Sequence, residues 1–312
     1  MTITQLHYIL AIEKHLSFVG AAESCNISQP AISMQVKKLE DMLGVELFDR
    51  NSSPLKVTSI GKAIINQAKF ILKEYTQVFE IISEYKDEII GTVRIGIIPT
   101  VSPYLLPLFI KNLEQKYSNL KLEIEELTTQ NIEEKLRNGT LDMGILATPL
   151  HQNDLIEHFL YFEELVAYIS PENLLFNKNY LLSKEIDLNQ LWLLEEGHCL
   201  RNQIENFCEL KQKQNKNSPL KLKTGSLETV IKLADNYEGM TLLPELAIMD
   251  WNEVKLQKIR RFAAERPMRE ISIITEKAYK RKALIEAIKA EVLACLPQKL
   301  KDNVSKNTLQ VL

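Results

Sequence analysis

The sequence predicts an α/β protein in three parts: a small all-α head, a long linker helix, and a two-lobed α/β region over the C-terminal two thirds. Three observations carry this prediction. Short helical periods crowd the residues up to Met42, a narrow apolar repeat runs from Ile64 to Tyr85, and alternating strand and helix patterns begin at Thr92. A chain of 312 residues has room for about two or three domains. Its 45% apolar and 25% charged residues exclude disorder as the main theme. The longest uncharged, mostly apolar stretch, Ile95 to Ile110, holds Pro99, Pro103 and Pro107 and is too short for a membrane span. No signal peptide is evident, so a cytoplasmic protein is expected.

In the head, Leu6, Ile9, Leu10 and Ala11 fall on one face of a helix over Ile3 to His15. A second helix follows Ser17, a suitable N-cap, with Phe18, Ala21 and Ala22 inward. After the turn at Cys25-Asn26, Ser28 caps a third helix to about Met42. Two short helices across a tight turn make a helix-turn-helix. In the third helix Ile32, Val36 and Leu39 are inward, leaving Gln29, Pro30, Ser33, Met34, Lys37 and Lys38 for a major groove. Gln29 offers amide groups to base edges, and Lys37 and Lys38 suit phosphates. Leu47 to Arg50 and Leu55 to Thr58, around Asn51-Ser52-Ser53-Pro54, read as a small hairpin, a wing beside that helix. A three-helix cluster with a polar surface would give the same pattern. The 38 basic against 41 acidic side chains of the whole chain supply no general attraction to nucleic acid.

From Ile64, the apolar positions Ala68, Ile71, Tyr75, Val78, Ile82 and Tyr85 recur at alternating four- and three-residue steps, a heptad seam that implies a partner helix. The alternative is a helix packed on its own domain, which would show a broader stripe. Two heads on a paired helix would read operator half-sites with dyad character.

Next, strands at Thr92 to Pro99, Lys121 to Leu127 and Leu141 to Ala147 alternate with helices at Pro103 to Gln115 and Ile132 to Arg137, a βαβαβ opening and so a parallel sheet. Such sheets bind ligands beyond their strand ends, where Thr100 and Thr129 share a rim. Threonine there is equally ordinary turn chemistry. Strands at Leu165 to Ser170, Trp192 to Glu195, Lys221 to Thr224 and Met240 to Leu243 form a second lobe. A strand at Glu270 to Thr275 and a helix from Lys280 to Leu296 return to the first.

The four cysteines contain no CxxC, so neither a disulfide scaffold nor zinc is expected, and any bonded pair would be transient. Cys25 and Cys295 read as packing residues. Leu200, Ile204 and Phe207 fall at helical spacing, which puts Cys199 at a helix N-terminus beside His198 and Arg201. The dipole and a nearby cation favour thiolate there, making Cys199 a candidate nucleophile. Cys208 lies nine residues on, roughly 13 Å along one helix, whereas a disulfide needs Cα atoms about 4.4 to 6.8 Å apart. Bonding the two would unwind that helix. Two unconnected cysteines remain the plain alternative.

The stretch from Phe18-Val19-Gly20-Ala21-Ala22 through Ser28-Gln29-Pro30-Ala31-Ile32-Ser33, with Leu43-Gly44-Val45-Glu46-Leu47-Phe48-Asp49-Arg50, resembles the winged helix-turn-helix of LysR-type transcriptional regulators. Gly197-His198-Cys199-Leu200-Arg201-Asn202-Gln203 through Phe207-Cys208, with Gly225-Ser226-Leu227-Glu228-Thr229 and Thr241-Leu242-Leu243-Pro244 downstream, resembles the peroxide-sensing OxyR branch of that family. The resemblance extends to about Leu296. It implies a DNA-binding domain at 1–58, a dimerisation helix at 59–89 and a periplasmic-binding-protein-like regulatory domain at 90–312. Within the latter, lobe I is expected at about 90–163 and 266–300, and lobe II at about 164–265.

The same resemblance assigns DNA contacts to Ser28, Gln29, Pro30, Ser33 and Lys37, with Arg50 and Lys56 in the wing. It makes Cys199 the peroxidatic thiolate and Cys208 the resolving thiol. Thr100, Thr129 and His198 would hold hydrogen peroxide, with Arg201 and Arg269 in support. Asn202 departs from the aspartate of some relatives, and Lys211 to Ser218 is unusually rich in Lys, Asn and Gln. Implied partners are double-stranded operator DNA, a second copy through the linker helix and then a tetramer, RNA polymerase, and a thiol reductant for reset. No cofactor or metal is expected.

The rival readings are a LysR-type regulator that binds a small metabolite between its lobes, and a thiol peroxidase. Other enzymes find little support. Gly139 and Gly144 have the first spacing of a phosphate loop, but Ile145 stands where lysine is needed, no HExxH occurs, and five histidines are scattered.

Overall fold

The computed structural model describes residues 1–85, 88–150, 152–187, 190–195, 197–208, 224–263 and 266–304. Two compact units result. One comprises Met1–Glu88 with Arg137–Thr140, and the other Ile89–Leu136 and the chain from Leu141 onward.

The first unit holds α1 (Ile3–His15), α2 (Phe18–Ser24), α3 (Gln29–Leu43), the hairpin β1 (Phe48–Asp49) and β2 (Lys56–Val57), and α4 (Ser59–Tyr85). Side chains cap α1 and α2, whereas Ser28 stands at the N-cap position of α3 without a side-chain cap hydrogen bond. Thr2 and Gln5 exchange a reciprocal capping box on α1, Ser17 accepts from the Gly20 N–H on α2, and Pro30 sits in the first turn of α3, where its missing N–H costs nothing. Leu6, Ile9, Ile12, Ala21, Ala22, Ile32, Val36, Leu39, Leu47 and Phe48 form the core; Ile12 joins Leu6 and Ile9 on α1, while the expected Leu10, Ala11 and Phe18 pack at its edge.

The linker helix divides in two. Ile65, Ala68 and Leu72 are buried in the head core, with Ile64 and Ile71 packed at its edge. The own-domain alternative therefore holds for the first half of α4. Beyond it the seam lies open, with Tyr75, Val78 and Ile82 each 45–56% exposed.

A single carboxylate ties the wing to α3. Glu40 is buried and accepts from the backbone N–H of Leu47 at 2.8 Å and of Phe48 at 3.4 Å, while its second oxygen meets Arg50 Nη2 at 2.8 Å.

The second unit is built on one mixed sheet. Its elements are β3 (Gly91–Ile97), α5 (Ser102–Lys116), β4 (Leu120–Glu126), α6 (Thr129–Arg137), β5 (Met143–Thr148), β6 (Leu155–Ile169), β7 (Tyr180–Leu181), α7 (Cys199–Phe207), α8 (Leu227–Asn236), β8 (Met240–Pro244), α9 (Glu253–Leu256), β9 (Ile259–Phe262), β10 (Met268–Glu276), α10 (Lys282–Cys295) and α11 (Gln298–Val304). The strand order is β4-β3-β5-β10-β6-β9-β7, with β8 also pairing β6. The expected parallel pairing holds for β3, β4 and β5, and β7 also pairs parallel with β9; β10 runs antiparallel to both β5 and β6 because the chain returns to lobe I from the opposite end.

Strand β6 is longer than its apolar run. The sequence predicts a start at Leu165, yet the strand begins at Leu155. Its first part pairs with β10 and its last five residues with β8, so one strand crosses from one core to the other. The acids that hide it from apolar alternation, Glu163 and Glu164, are buried against arginines. The returning chain runs alongside, where the Leu165 N–H donates to the Pro267 carbonyl at 2.7 Å.

Three further expectations change. Trp192 to Glu195 is no strand; Leu191 makes one bridge to Met240. The predicted strand at Lys221 to Thr224 lies outside the described residues except for Thr224, whose carbonyl accepts from the Glu195 N–H. The short strands β9 and, at the sheet edge, β7 are new, and so is α11, where Leu300 is buried in the lobe I core and Lys299 pairs with the buried Glu245. Among the described residues, no helix is long and apolar enough to cross a membrane.

Replacing Glu40 by alanine leaves two buried amides and Arg50 without their acceptor. Local stability should fall by about 2 kcal/mol, read in the full-length protein as roughly thirtyfold faster hydrogen exchange at the Leu47 and Phe48 amides.

Candidate functional site

Lobe I contributes a polar rim. The Leu127 N–H donates to the Ile97 carbonyl at 3.0 Å, so β3 and β4 end side by side, with Thr100 and Thr129 each three residues past a paired strand end. Arg269 on β10 is fully buried and reaches across to Thr100: Nη1 donates to Oγ1 and Nη2 to the carbonyl, both at 3.1 Å. A guanidinium only donates, so the Thr100 oxygen accepts and its own hydrogen is left to point elsewhere. The Thr129 hydroxyl oxygen is buried with no hydrogen-bond partner, so its donor and acceptor capacities are both open.

The charge of Arg269 is balanced by a residue that the sequence reading missed. Glu163 on β6 is fully buried and accepts from Arg269 Nε at 2.7 Å, while its second oxygen accepts from the Leu246 N–H at 3.1 Å. The available signal was an acid inside an apolar strand, which requires a buried cation nearby.

Lobe II contributes α7. Gly197 holds φ +96°, a left-handed turn suited to glycine, and leads into His198 and the first helical residue, Cys199. His198 is buried against Gly225, where even a Cβ would stand 2.9 Å from its Nε2. Burial lowers the His198 pKa, opposed more weakly by Glu195, so the ring is neutral near pH 7. Arg201 donates to Glu205 at 2.8 Å and to the Leu194 carbonyl at 3.0 Å. The expected cationic help for Cys199 is thus corrected: His198 carries no charge, and the charge of Arg201 is paired. The N-terminus of α7 remains as the local source of positive potential.

The two thiols belong to different cores. Cys199 is half-buried and packs against the lobe I cluster, whereas Leu200, Ile204 and Cys208 belong to that of lobe II. Both cysteines are free, with one unbroken nine-residue helix between them. Burial pushes the Cys208 thiol up to about 12, so it is protonated at neutral pH. Cys25 packs against the head core and Cys295 against lobe I, where Asn112 donates to its sulfur at 3.3 Å. Among the described residues, no cluster of three His, Cys, Asp or Glu is placed to hold a metal.

On the head, Ser28, Gln29, Pro30, Met34, Lys37, Lys38 and Lys56 are exposed, while Ser33 is half-buried. Arg50, in the wing, is exposed but also has partners within the head. Its guanidinium is paired with Glu40, donates to Ser33 at 3.3 Å and lies 4.9 Å from the Phe18 ring centroid, so it braces the wing.

A helix-turn-helix head on a long helix, followed by two lobes with polar groups gathered at the strand ends, defines a regulator with a ligand-receptive C-terminal unit. Residues 3–62 match "Bacterial regulatory helix-turn-helix protein, lysR family", and residues 86–295 match "LysR substrate binding domain". The chain belongs to the LysR family. It is 32% identical, over 88% of its length and 90% of the relative's, to the hydrogen peroxide-inducible genes activator of Haemophilus influenzae. Among solved structures, a full-length OxyR variant from Pseudomonas aeruginosa matches with a TM-score of 0.75 at 31% identity, covering 95% of this chain and 99% of that one. A hydrogen peroxide-bound OxyR mutant from Corynebacterium glutamicum matches with a TM-score of 0.62 at 26% identity, covering 100% and 98%.

The buried His198 gives the regulatory unit a pH dependence of definite sign. Its folded pKa lies below the unfolded value of about 6.5, so above that pH both states are neutral and nothing is gained or lost. As pH falls through about 6.5 the unfolded chain takes up a proton that the folded one refuses, and stability drops. Melting temperatures between pH 7.5 and 5.5 should fall less steeply for His198→Gln than for the wild type.

Proposed function

We propose that this protein is a cytoplasmic, DNA-binding transcription regulator that senses hydrogen peroxide by reversible disulfide formation between Cys199 and Cys208. The observation that carries the reading is α7, whose first residue, the half-buried Cys199, packs against the lobe I core while Cys208 just past its end is buried in that of lobe II. The names of the relatives support it: they are peroxide-inducible gene activators and OxyR proteins.

The chemistry balances as follows. The Cys199 thiolate attacks one peroxide oxygen, the O–O bond breaks, and the departing hydroxide takes a proton to become water, leaving Cys199 sulfenic acid. The Thr100 hydroxyl hydrogen, freed by Arg269, suits the departing oxygen, and Thr129 and neutral His198 add hydrogen-bonding capacity. The Cys208 sulfur then attacks the sulfenic sulfur, the S–O bond breaks, a second water leaves and the disulfide forms. A cellular dithiol reverses it. No turnover is needed.

Forming that bond draws Cys199 from one core and Cys208 from the other and unwinds α7, which rearranges both lobes. Ser28, Gln29, Pro30, Ser33 and Lys37 read the operator, with Lys56 at a phosphate. The open half of α4 pairs with a second copy, so two heads address dyad half-sites, and dimers join into tetramers that engage RNA polymerase.

Oxidising the reduced protein with stoichiometric peroxide, then alkylating and mapping by mass spectrometry, should give a Cys199-Cys208 bond that is lost in Cys199→Ser and Cys208→Ser. Persistently free thiols would overturn the reading and turn attention to a small metabolite at the rim. Because Cys208 must leave its core before it can react, Ile204→Ala should lower stability by about 2 to 4 kcal/mol while speeding the conversion of sulfenate to disulfide in stopped-flow traces. Val78→Asp with Ile82→Asp should shift the protein toward monomer in sedimentation, leaving peroxide oxidation of its thiols intact.

A further inference from the structure

We propose that Glu163 is a positioning residue of the peroxide site, acting through Arg269 on Thr100; this rests on the peroxide-sensing reading above. A buried ion pair is an expensive way to fill a core, since apolar side chains of similar volume are often as stable or more so. Here the pair sits where lobe I's strand ends meet the crossing strand, and its geometry is spent on orientation. Glu163 Oε1 holds both Nε and Nη2 of Arg269, with the pair at 2.7 Å. The planar fork is thereby fixed from one side, and two of its remaining three N–H groups face Thr100.

Glu163 is itself anchored. Its second oxygen takes the Leu246 N–H at 3.1 Å, at the turn that follows β8 in lobe II. The order is therefore Leu246 backbone, Glu163, Arg269, Thr100. Its outcome is one hydroxyl whose oxygen already accepts from Arg269, which turns its hydrogen away from the guanidinium and leaves it to be offered. Charge grows on the departing peroxide oxygen as the S–O bond forms and the O–O bond breaks, and a hydroxyl aligned to donate lowers the barrier there. With a neutral amide at position 163, Arg269 keeps its charge but faces no opposite one, and a single acceptor oxygen is left where Arg269 and the Leu246 N–H each had their own, so the guanidinium no longer holds Thr100 in one orientation.

The test uses full-length reduced protein carrying Cys208→Ser, so that only the first chemical step is read, by trapping the Cys199 sulfenate with dimedone. Adding Glu163→Gln should lower the second-order rate constant with hydrogen peroxide by about tenfold or more, while alkylation of Cys199 by iodoacetamide at the same pH does not slow. Iodoacetamide needs the thiolate but no proton donor at a departing oxygen, so it separates positioning from general damage. Thr100→Val should slow peroxide oxidation comparably, and combining it with Glu163→Gln should add less than about twofold, because the two act in series. Glu163→Asp, which keeps the charge, should recover part of the lost rate; should the glutamine variant fail to fold, Glu163→Asp is read with Thr100→Val in the same cycle. A peroxide rate constant within twofold of the parent, equal slowing of both reagents, or full additivity with Thr100→Val would each overturn the proposal. A parent protein whose Cys199 ignores peroxide would instead overturn the sensing reading, and this proposal with it.

Discussion

A guanidinium with no access to solvent has to be neutralised and must fill its donor sites, and Arg269 imposes that requirement on the regulatory unit. The consequences reach outward. Glu163 must lie on β6 in register with Arg269 on β10, so an acid interrupts an otherwise apolar strand. Thr100 must turn its hydroxyl and carbonyl inward at the end of β3. Leu246 must present its N–H to the second oxygen of Glu163. The neighbouring Glu164 meets Arg261, which also binds Glu245. Two successive acids on β6 therefore grip one turn of lobe II, at the place where the chain crosses between cores.

Helix α7 supplies the second constraint, of a different kind. It is held at both ends by burial, with Cys199 against lobe I and Cys208 within lobe II. A thiol whose pKa burial pushes up to about 12 is a poor nucleophile until water reaches it, so local opening must precede its chemistry. The cores that store Cys208 safely in the reduced state are the same ones that a disulfide would rearrange. In the proposed mechanism, sensing and response would thus draw on the same packing energy.

Much of this was legible in the sequence. The head helices, the wing, the βαβαβ opening and the helix beginning at Cys199 follow from apolar spacing and capping residues. The illegible parts share a cause: polar side chains whose partners are distant in sequence. Glu163 and Glu164 hid the first half of β6, since an acid in a strand looks like surface until Arg269 and Arg261, about a hundred residues on, are brought beside it. His198 and Arg201 look like cations beside a thiol. Burial against Gly225 discharges the first and Glu205 neutralises the second. The pairing of Arg50 with the buried Glu40 was likewise invisible in the sequence.

The linker helix shows why a periodic pattern alone underdetermines a contact. One apolar repeat along α4 serves two purposes in succession. Where the head supplies a core, the helix buries the seam residue Ala68 together with Ile65 and Leu72, which widen the narrow seam into the broad stripe of a packed helix. Past Leu72 the head ends, and the repeat continues through Tyr75, Val78 and Ile82 with about half of each side chain in water. A long apolar face left in solvent across several turns is costly in a single chain, and a second copy of the same helix is the surface whose spacing matches it. The half that is buried anchors the helix rigidly to the DNA-reading head. The half that is open can then set the separation of two heads, because a pairing made on a rigid lever is transmitted to its far end.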